Sequence, residues 1–174
     1  LITIEEIASV PDAEFDALFS ASFPYMEGGT YDWSFLGNPA TDAEKREAMR
    51  AKFQEIIDTP QTKGVLWRKD GHAIHLAVGS MDAWEPGYIT WIMALYGPDA
   101  DGSKAWLYSE DYITQCRDYF RDEWGVKGYM VNCFNDTTIM AYHLNKPNAG
   151  LYYEVTAEPF DEDPSLALIR YRYL

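Results

Sequence analysis

Only two cysteines, Cys116 and Cys133, occur in 174 residues. Two thiols cannot build a disulfide framework, and they are expected to stay reduced in a cytoplasmic setting. Histidine is nearly as scarce, with His72, His75 and His143 as its three occurrences. His72 and His75 lie three apart in an extended stretch and so point to opposite faces. No Cys, Asp or Glu spacing completes a metal site around them. No apolar run approaches the ~18 residues that a membrane helix needs. Leu1–Glu6 has neither the basic region nor the apolar core of a secretory signal, although the first residue is not Met, which leaves an upstream segment open. Basic residues are few, 14 Lys and Arg against 28 Asp and Glu, and the net charge is −14. Such a chain repels nucleic-acid phosphates. It attracts cations, amines included, by long-range steering. The phosphate loop of nucleoside-triphosphate enzymes and the Gly-X-Ser-X-Gly elbow of serine hydrolases are both missing.

Apolar side chains are plentiful, at 47% of residues with 16% aromatic, which is enough for one folded domain spanning residues 1–174. Ile2-Thr3-Ile4 reads as a first strand. A helix follows Pro11, with Phe15, Leu18 and Phe19 at helical spacing. Phe23–Ala40, rich in glycine and aromatic residues, reads as a long loop, and its length points to a functional role. Thr41-Asp42-Ala43-Glu44 is a capping box that starts a second helix at Asp42, with Met49, Phe53 and Ile56 as its buried stripe. Val65–Arg68 and Ala73–Val78 flank Asp70-Gly71, a hairpin signal. Tyr88–Tyr96 is the most apolar stretch and reads as a central strand.

Gly97–Gly102 then breaks the chain. Ala105–Tyr108 reads as extended, with Ser109 capping a helix that has Glu110 and Asp111 in its first turn. A helix start near Ser103 is the alternative. Ile113, Cys116, Phe120 and Trp124 give this helix a core face, and Gly125 ends it. A Gly128–Phe134 strand, an Asn135–Leu144 helix and a Lys146–Gly150 turn come next. Leu151–Val155 and Leu166–Tyr171 form a last pair of strands, joined by Pro159–Pro164. The order β-α-α-β-β-β-α-β-α-β-β describes an α+β (α/β) fold, a mixed central sheet flanked by helices. The Tyr88–Tyr96 and Gly128–Phe134 strands, linked by a crossover helix, are expected to lie parallel and adjacent and to splay at one end.

Asn135 and Tyr142 stand seven residues apart. Seven steps of about 100° return a helix to within roughly 20° of the same face. An apolar strand feeding a short helix with Asn at its start and Tyr two turns later resembles the C-terminal half of the GNAT (GCN5-related N-acetyltransferase) fold. The element order above is that family's order over essentially the whole chain. The resemblance implies that Asn135 and Tyr142 lie beside an acyl-CoA thioester. It also implies a pyrophosphate-binding turn after the fourth strand, where glycines and free N–H groups receive the phosphates. Pro98–Trp106 is the best match. Gly102 occupies a glycine position, Asp101 stands where Arg or Gln is expected, and Lys104 and Trp106 occupy later small-residue positions. Gly102, Ser103, Lys104 and Asn135 are thus the implied cofactor-binding residues, and acetyl-CoA or CoA the implied cofactor, with no metal. An ordinary acidic turn is the competing reading of Asp99–Gly102.

Tyr142 is the candidate general acid for the departing thiolate. A thiol near ~8.5 and a phenol near ~10 differ by about 1.5 units, a gap a positioned hydroxyl can bridge. The competing reading is an amphipathic Tyr with its ring in the core. Asn135 also reads as the cap of its own helix. No carboxylate falls within Tyr88–Tyr96, so Glu85 is the candidate base, with Asp82 as the other nearby acid. Both also read as solvated loop acids. The expected function is acetyl transfer from CoA to a small amine. The alternative is a non-enzymatic binding or structural protein that keeps the fold and has lost CoA. Expected partners are a small-molecule amine, with no nucleic acid and no membrane; a homodimer is left open.

Overall fold

Capping residues, an Asp-Gly turn and alternating apolar strands set most of the element boundaries. A computed structural model describes residues 1–28, 31–145 and 153–173, without the side chains of Tyr142 and Tyr153. The expected Lys146–Gly150 turn and the first residues of the expected Leu151–Val155 strand lie outside the described residues. The elements are β1 (Ile2–Ile7), α1 (Asp12–Glu27), α2 (Asp42–Ile57), β2 (Thr62–Lys69), β3 (His72–Met81), β4 (Tyr88–Tyr96), α3 (Glu110–Trp124), β5 (Gly128–Phe134), α4 (Thr137–Leu144), β6 (Tyr153–Pro159) and β7 (Leu166–Tyr173). Their order is the one the sequence leads us to expect. The seven strands form one mixed sheet, ordered β1-β2-β3-β4-β5-β7-β6. By its internal packing the chain divides into two compact units, Leu1–Gly79 with Met93–Lys104, and Ser80–Ile92 with Ala105–Leu174.

In the first unit, Phe15, Leu18 and Phe19 of α1 pack with Met49, Phe53 and Ile56 of α2 in one buried cluster. Thr41 Oγ1 accepts the Glu44 N–H at 3.1 Å and Glu44 Oε2 accepts the Thr41 N–H at 3.0 Å, so the capping box is complete. Half of the expected Phe23–Ala40 loop is regular structure. α1 runs on through Pro24 to Glu27, and Trp33–Leu36 forms a 3-10 turn. Proline removes one helical donor. Phe23 nevertheless packs on Phe19 with ring centroids 5.2 Å apart, and the Pro24 carbonyl accepts the Gly28 N–H at 3.0 Å. Aromatic burial carries the helix past the breaker. Asp70 (φ 51°) and Gly71 (φ 80°) are both left-handed, as a tight hairpin turn between β2 and β3 requires.

His75 of β3 is buried between the rings of Trp67, 4.2 Å away, and Tyr96, 4.3 Å away. Its Nδ1–H donates to the Leu95 carbonyl at 2.9 Å. Burial pushes the imidazole down to about 4, against a smaller upward pull from that bond.

In the second unit, β4 and β5 are parallel, with Tyr88, Ile89 and Thr90 opposite Gly128, Tyr129 and Met130. Their register runs over these three pairs, whereas β5 pairs antiparallel with β7 along its whole length. A Cβ at Gly128 would lie 1.9 Å from the Tyr171 carbonyl oxygen, so the β5–β7 approach admits glycine there. Ser109 caps α3, its Oγ accepting the Tyr112 N–H at 3.1 Å, and Gly125 (φ 65°) ends it in the left-handed conformation. Ile113, Cys116 and Phe120 are buried, while Trp124 is half-buried against Phe120. Ala105–Tyr108 forms a 3-10 turn where an extended segment is expected. Trp106 is buried there and its carbonyl accepts the Ser109 N–H at 3.1 Å, folding the chain back into the cap.

Candidate functional site

The turn after β4 lies in the first unit and is built around Asp99. Asp99 Oδ1 accepts the N–H groups of Asp101 at 3.0 Å and Ser103 at 3.3 Å. Lys69 Nζ donates to Asp99 Oδ2 at 2.8 Å. The Asp99 carbonyl accepts the Gly102 N–H at 3.0 Å, and Gly102 takes φ 77°, a conformation glycine adopts without strain. Asp99 is only 8% exposed. The Lys69 ammonium chiefly, with the Ser103 and Asp101 amides, holds its carboxyl below the usual carboxylate range, against the upward push of burial. Of the residues singled out here by sequence, Asp101, Gly102 and Ser103 are exposed. Lys104 places its Nζ 4.2 Å from the centre of the Tyr25 ring, a cation–π contact with α1. Asp99, which the match with the family turn left unassigned, is the residue that organises the segment.

In the second unit, Asn135 precedes the helix instead of starting it. Asp136 is the cap, with Oδ1 accepting the Thr138 and Ile139 N–H groups at 2.9 and 3.1 Å. Asn135 is exposed, and its own N–H is taken by the Ser165 carbonyl at 2.8 Å. Helical periodicity therefore does not relate Asn135 to Tyr142, because helical geometry begins only at Thr137. Tyr142 lies within α4, and its side chain is outside the described residues. Its helix is tied to the sheet on both sides of that position. Met140 meets Cys133 of β5 with the sulfurs 3.9 Å apart, and His143 Nδ1 contacts the Tyr171 hydroxyl of β7.

Glu85 is paired, with Oε2 accepting from Arg170 Nε at 2.7 Å. Glu85, Tyr88, Glu154, Thr156, Arg170 and Arg172 line a groove of about 290 Å³. Asp82 takes the left-handed φ of 57°, and its Oδ1 accepts the Gly87 N–H at 2.7 Å. It shapes the turn that leads into β4. No group of three or more His, Cys, Asp and Glu residues is placed to hold a metal among the described residues. No helix among them is long and apolar enough to cross a membrane.

No family model matches the sequence, and no curated protein matches it. The fold has clear counterparts among solved structures. N-acetyltransferase PseH of Campylobacter jejuni superposes with a TM-score of 0.54 at 13% identity, over 99% of this chain and 98% of that one. PaiA N-acetyltransferase of Thermoplasma acidophilum, solved with coenzyme A, gives 0.56 at 9% identity over 99% of each chain. SpeG spermidine N-acetyltransferase of Vibrio cholerae, solved in a mutant form, gives 0.59 at 11% identity over 99% of this chain and 93% of that one. Among the described residues, the mixed seven-stranded sheet with its parallel β4–β5 pair and the four α-helices define an acetyltransferase-like α/β fold. It is, specifically, the GNAT fold.

Proposed function

We propose that the chain is an acyl-CoA-dependent N-acyltransferase that acetylates a small cationic amine. The observation that carries this reading is the β4–β5 pair. It is parallel, its register stops after three residue pairs, and it leads into a helix bearing Tyr142, all within a fold shared end to end with acetyltransferases. Neutral amine would attack the thioester carbonyl carbon. A backbone N–H of β4 would donate to the oxyanion, and Tyr142 would give its proton to the departing thiolate sulfur. Glu85 is the candidate acceptor of the amine proton. Its pair with Arg170 uses Oε2, which leaves Oε1 as the oxygen for that role. The net charge of −14 would draw a cationic acceptor toward the protein.

One observation favours a second reading, a non-enzymatic protein that keeps the fold without the cofactor. The amides of the turn after β4 are taken by Asp99. Calorimetric titration with acetyl-CoA, together with thermal melts, separates the two. On the acyltransferase reading acetyl-CoA binds and raises the melting temperature. A folded protein that shows neither heat of binding nor a thermal shift at millimolar acetyl-CoA would leave the second reading standing.

A further inference from the structure

We propose that the groove at the C-terminal end of α3 binds a compact polyanion, a small molecule carrying two or more carboxylate or phosphate groups. The inference does not rest on the acyltransferase reading. Arg117, Arg121, Gly125, Lys127, Arg172 and Tyr173 line a groove of about 330 Å³, all within the second unit. That volume suits a small molecule. No carboxylate is among the lining residues. In a chain with 28 Asp and Glu, four of the 14 Lys and Arg side chains meet at this one place. The groove opens at the start of β5, whereas the helix that bears Tyr142 follows the end of that strand. Seven strand residues, about 20 Å, separate the two.

Two ordinary roles cover only part of the cluster. A helix C-terminus favours cations, and Arg121 lies in the last turn of α3. That effect fades within one turn, so it reaches neither Arg117, two turns from the helix end, nor Arg172 on β7. Arg117 and Arg121 stand four residues apart, a spacing at which like charges destabilise a helix. Ion pairing is the second role. Arg117 Nε donates to Asp118 at 2.9 Å, Arg121 Nε donates to Asp122 at 2.8 Å, and Arg172 Nη1 lies 3.7 Å from Glu154. Asp118, Asp122 and Glu154 are all exposed by 42% or more, and pairs with such acids hold weakly. Lys127 is exposed and has no ion pair among the described residues. A ligand oxyanion competes well on these terms, because a guanidinium fork binds carboxylate or phosphate oxygens two at a time. At about 0.1 M salt, charges farther than about 10 Å are largely screened. The nearby cations then outweigh the distant acids. Several cations around one small groove suit several anionic groups on one ligand. Nucleic acid is the wrong size, and the net charge of −14 repels it.

The test is calorimetric titration of the full chain with citrate and, separately, with inorganic pyrophosphate, each with and without saturating acetyl-CoA. The wild type is compared with Arg121→Gln, Lys127→Gln and a control, Lys63→Gln, which makes the same charge change on β2 of the first unit. Circular dichroism checks that each variant is folded. The wild type is expected to bind at least one of the two anions with a Kd of about 1 mM or tighter. Arg121→Gln and Lys127→Gln should each weaken that binding about fivefold or more. Lys63→Gln and acetyl-CoA should leave it unchanged. Citrate alone, pyrophosphate alone, or both binding in this pattern upholds the site and tells which oxyanion it takes. Neither anion binding at about 10 mM overturns the inference. So does binding that Arg121→Gln and Lys127→Gln leave unaltered, that Lys63→Gln weakens equally, or that acetyl-CoA abolishes. Anion binding in the expected pattern, in a protein that binds no acetyl-CoA, upholds the groove and removes the acyltransferase reading.

Discussion

Replacing Tyr142 with phenylalanine is expected to leave acetyl-CoA binding intact and to lower turnover about 100-fold or more, the usual worth of a positioned general acid. The substitution keeps the aromatic ring and removes only the hydroxyl. The phenol is the candidate donor to the thiolate, whose alternative is to leave unprotonated. Single-turnover rates and calorimetric affinities for the two proteins make the comparison. A lower rate at unchanged affinity assigns the proton to Tyr142. Full turnover in Tyr142→Phe removes it from the chemistry. Loss of folding would instead make the hydroxyl a structural hydrogen-bonding group of α4.

Acidification is expected to cost the protein stability between about pH 6.5 and pH 4, and His75 is the reason. An exposed histidine titrates near ~6.5, whereas burial holds His75 at about 4. Between these values the unfolded chain binds a proton that the folded chain refuses. The unfolded state then holds more protons, and stability rises with pH across that window. The His75 contribution is fully present above pH ~6.5 and is lost as the pH falls to about 4. A shift of this size corresponds to roughly 3 kcal/mol. Urea denaturation of wild type and His75→Gln at a series of pH values measures it. The wild type should lose the larger share of its stability over this range, and the glutamine variant should lack that component. Equal slopes in the two proteins would mean that the imidazole protonates inside the fold, between Trp67 and Tyr96, without cost.

Where structure is local, the sequence carried it. Thr41 with Glu44, Asp70 with Gly71, and Ser109 with Gly125 each fix an element boundary through groups a few residues apart, and each boundary stands in the fold. The run through Pro24 was not legible, because what sustains that turn is packing of Phe23 on Phe19 and of Lys45 near the Phe23 and Trp33 rings. Asn135 and Asp136 are both good caps, and nothing local chooses between them. The choice is made by the Ser165 carbonyl, thirty residues on, which takes the Asn135 N–H and keeps that residue out of the helix. Asp99 is the same kind of case. An Asp three residues before a glycine reads as an ordinary turn, and its significance depends on Lys69, thirty residues earlier at the end of β2. Local sequence thus marks the segments that hold the candidate site residues, while the contacts that fix Asn135 and Asp99 in place are long-range.

The central claim is acyl transfer, and the direct measurement is product formation. Wild-type protein is incubated with acetyl-CoA and a panel of small cationic amines, and the amines are analysed by mass spectrometry while released thiol is followed in parallel. The expected result is an acetylated amine and an equal amount of free CoA, both dependent on the protein and both diminished in Tyr142→Phe. Acetyl-CoA that binds yet is returned unchanged with every amine, or a protein that binds none, would contradict the account.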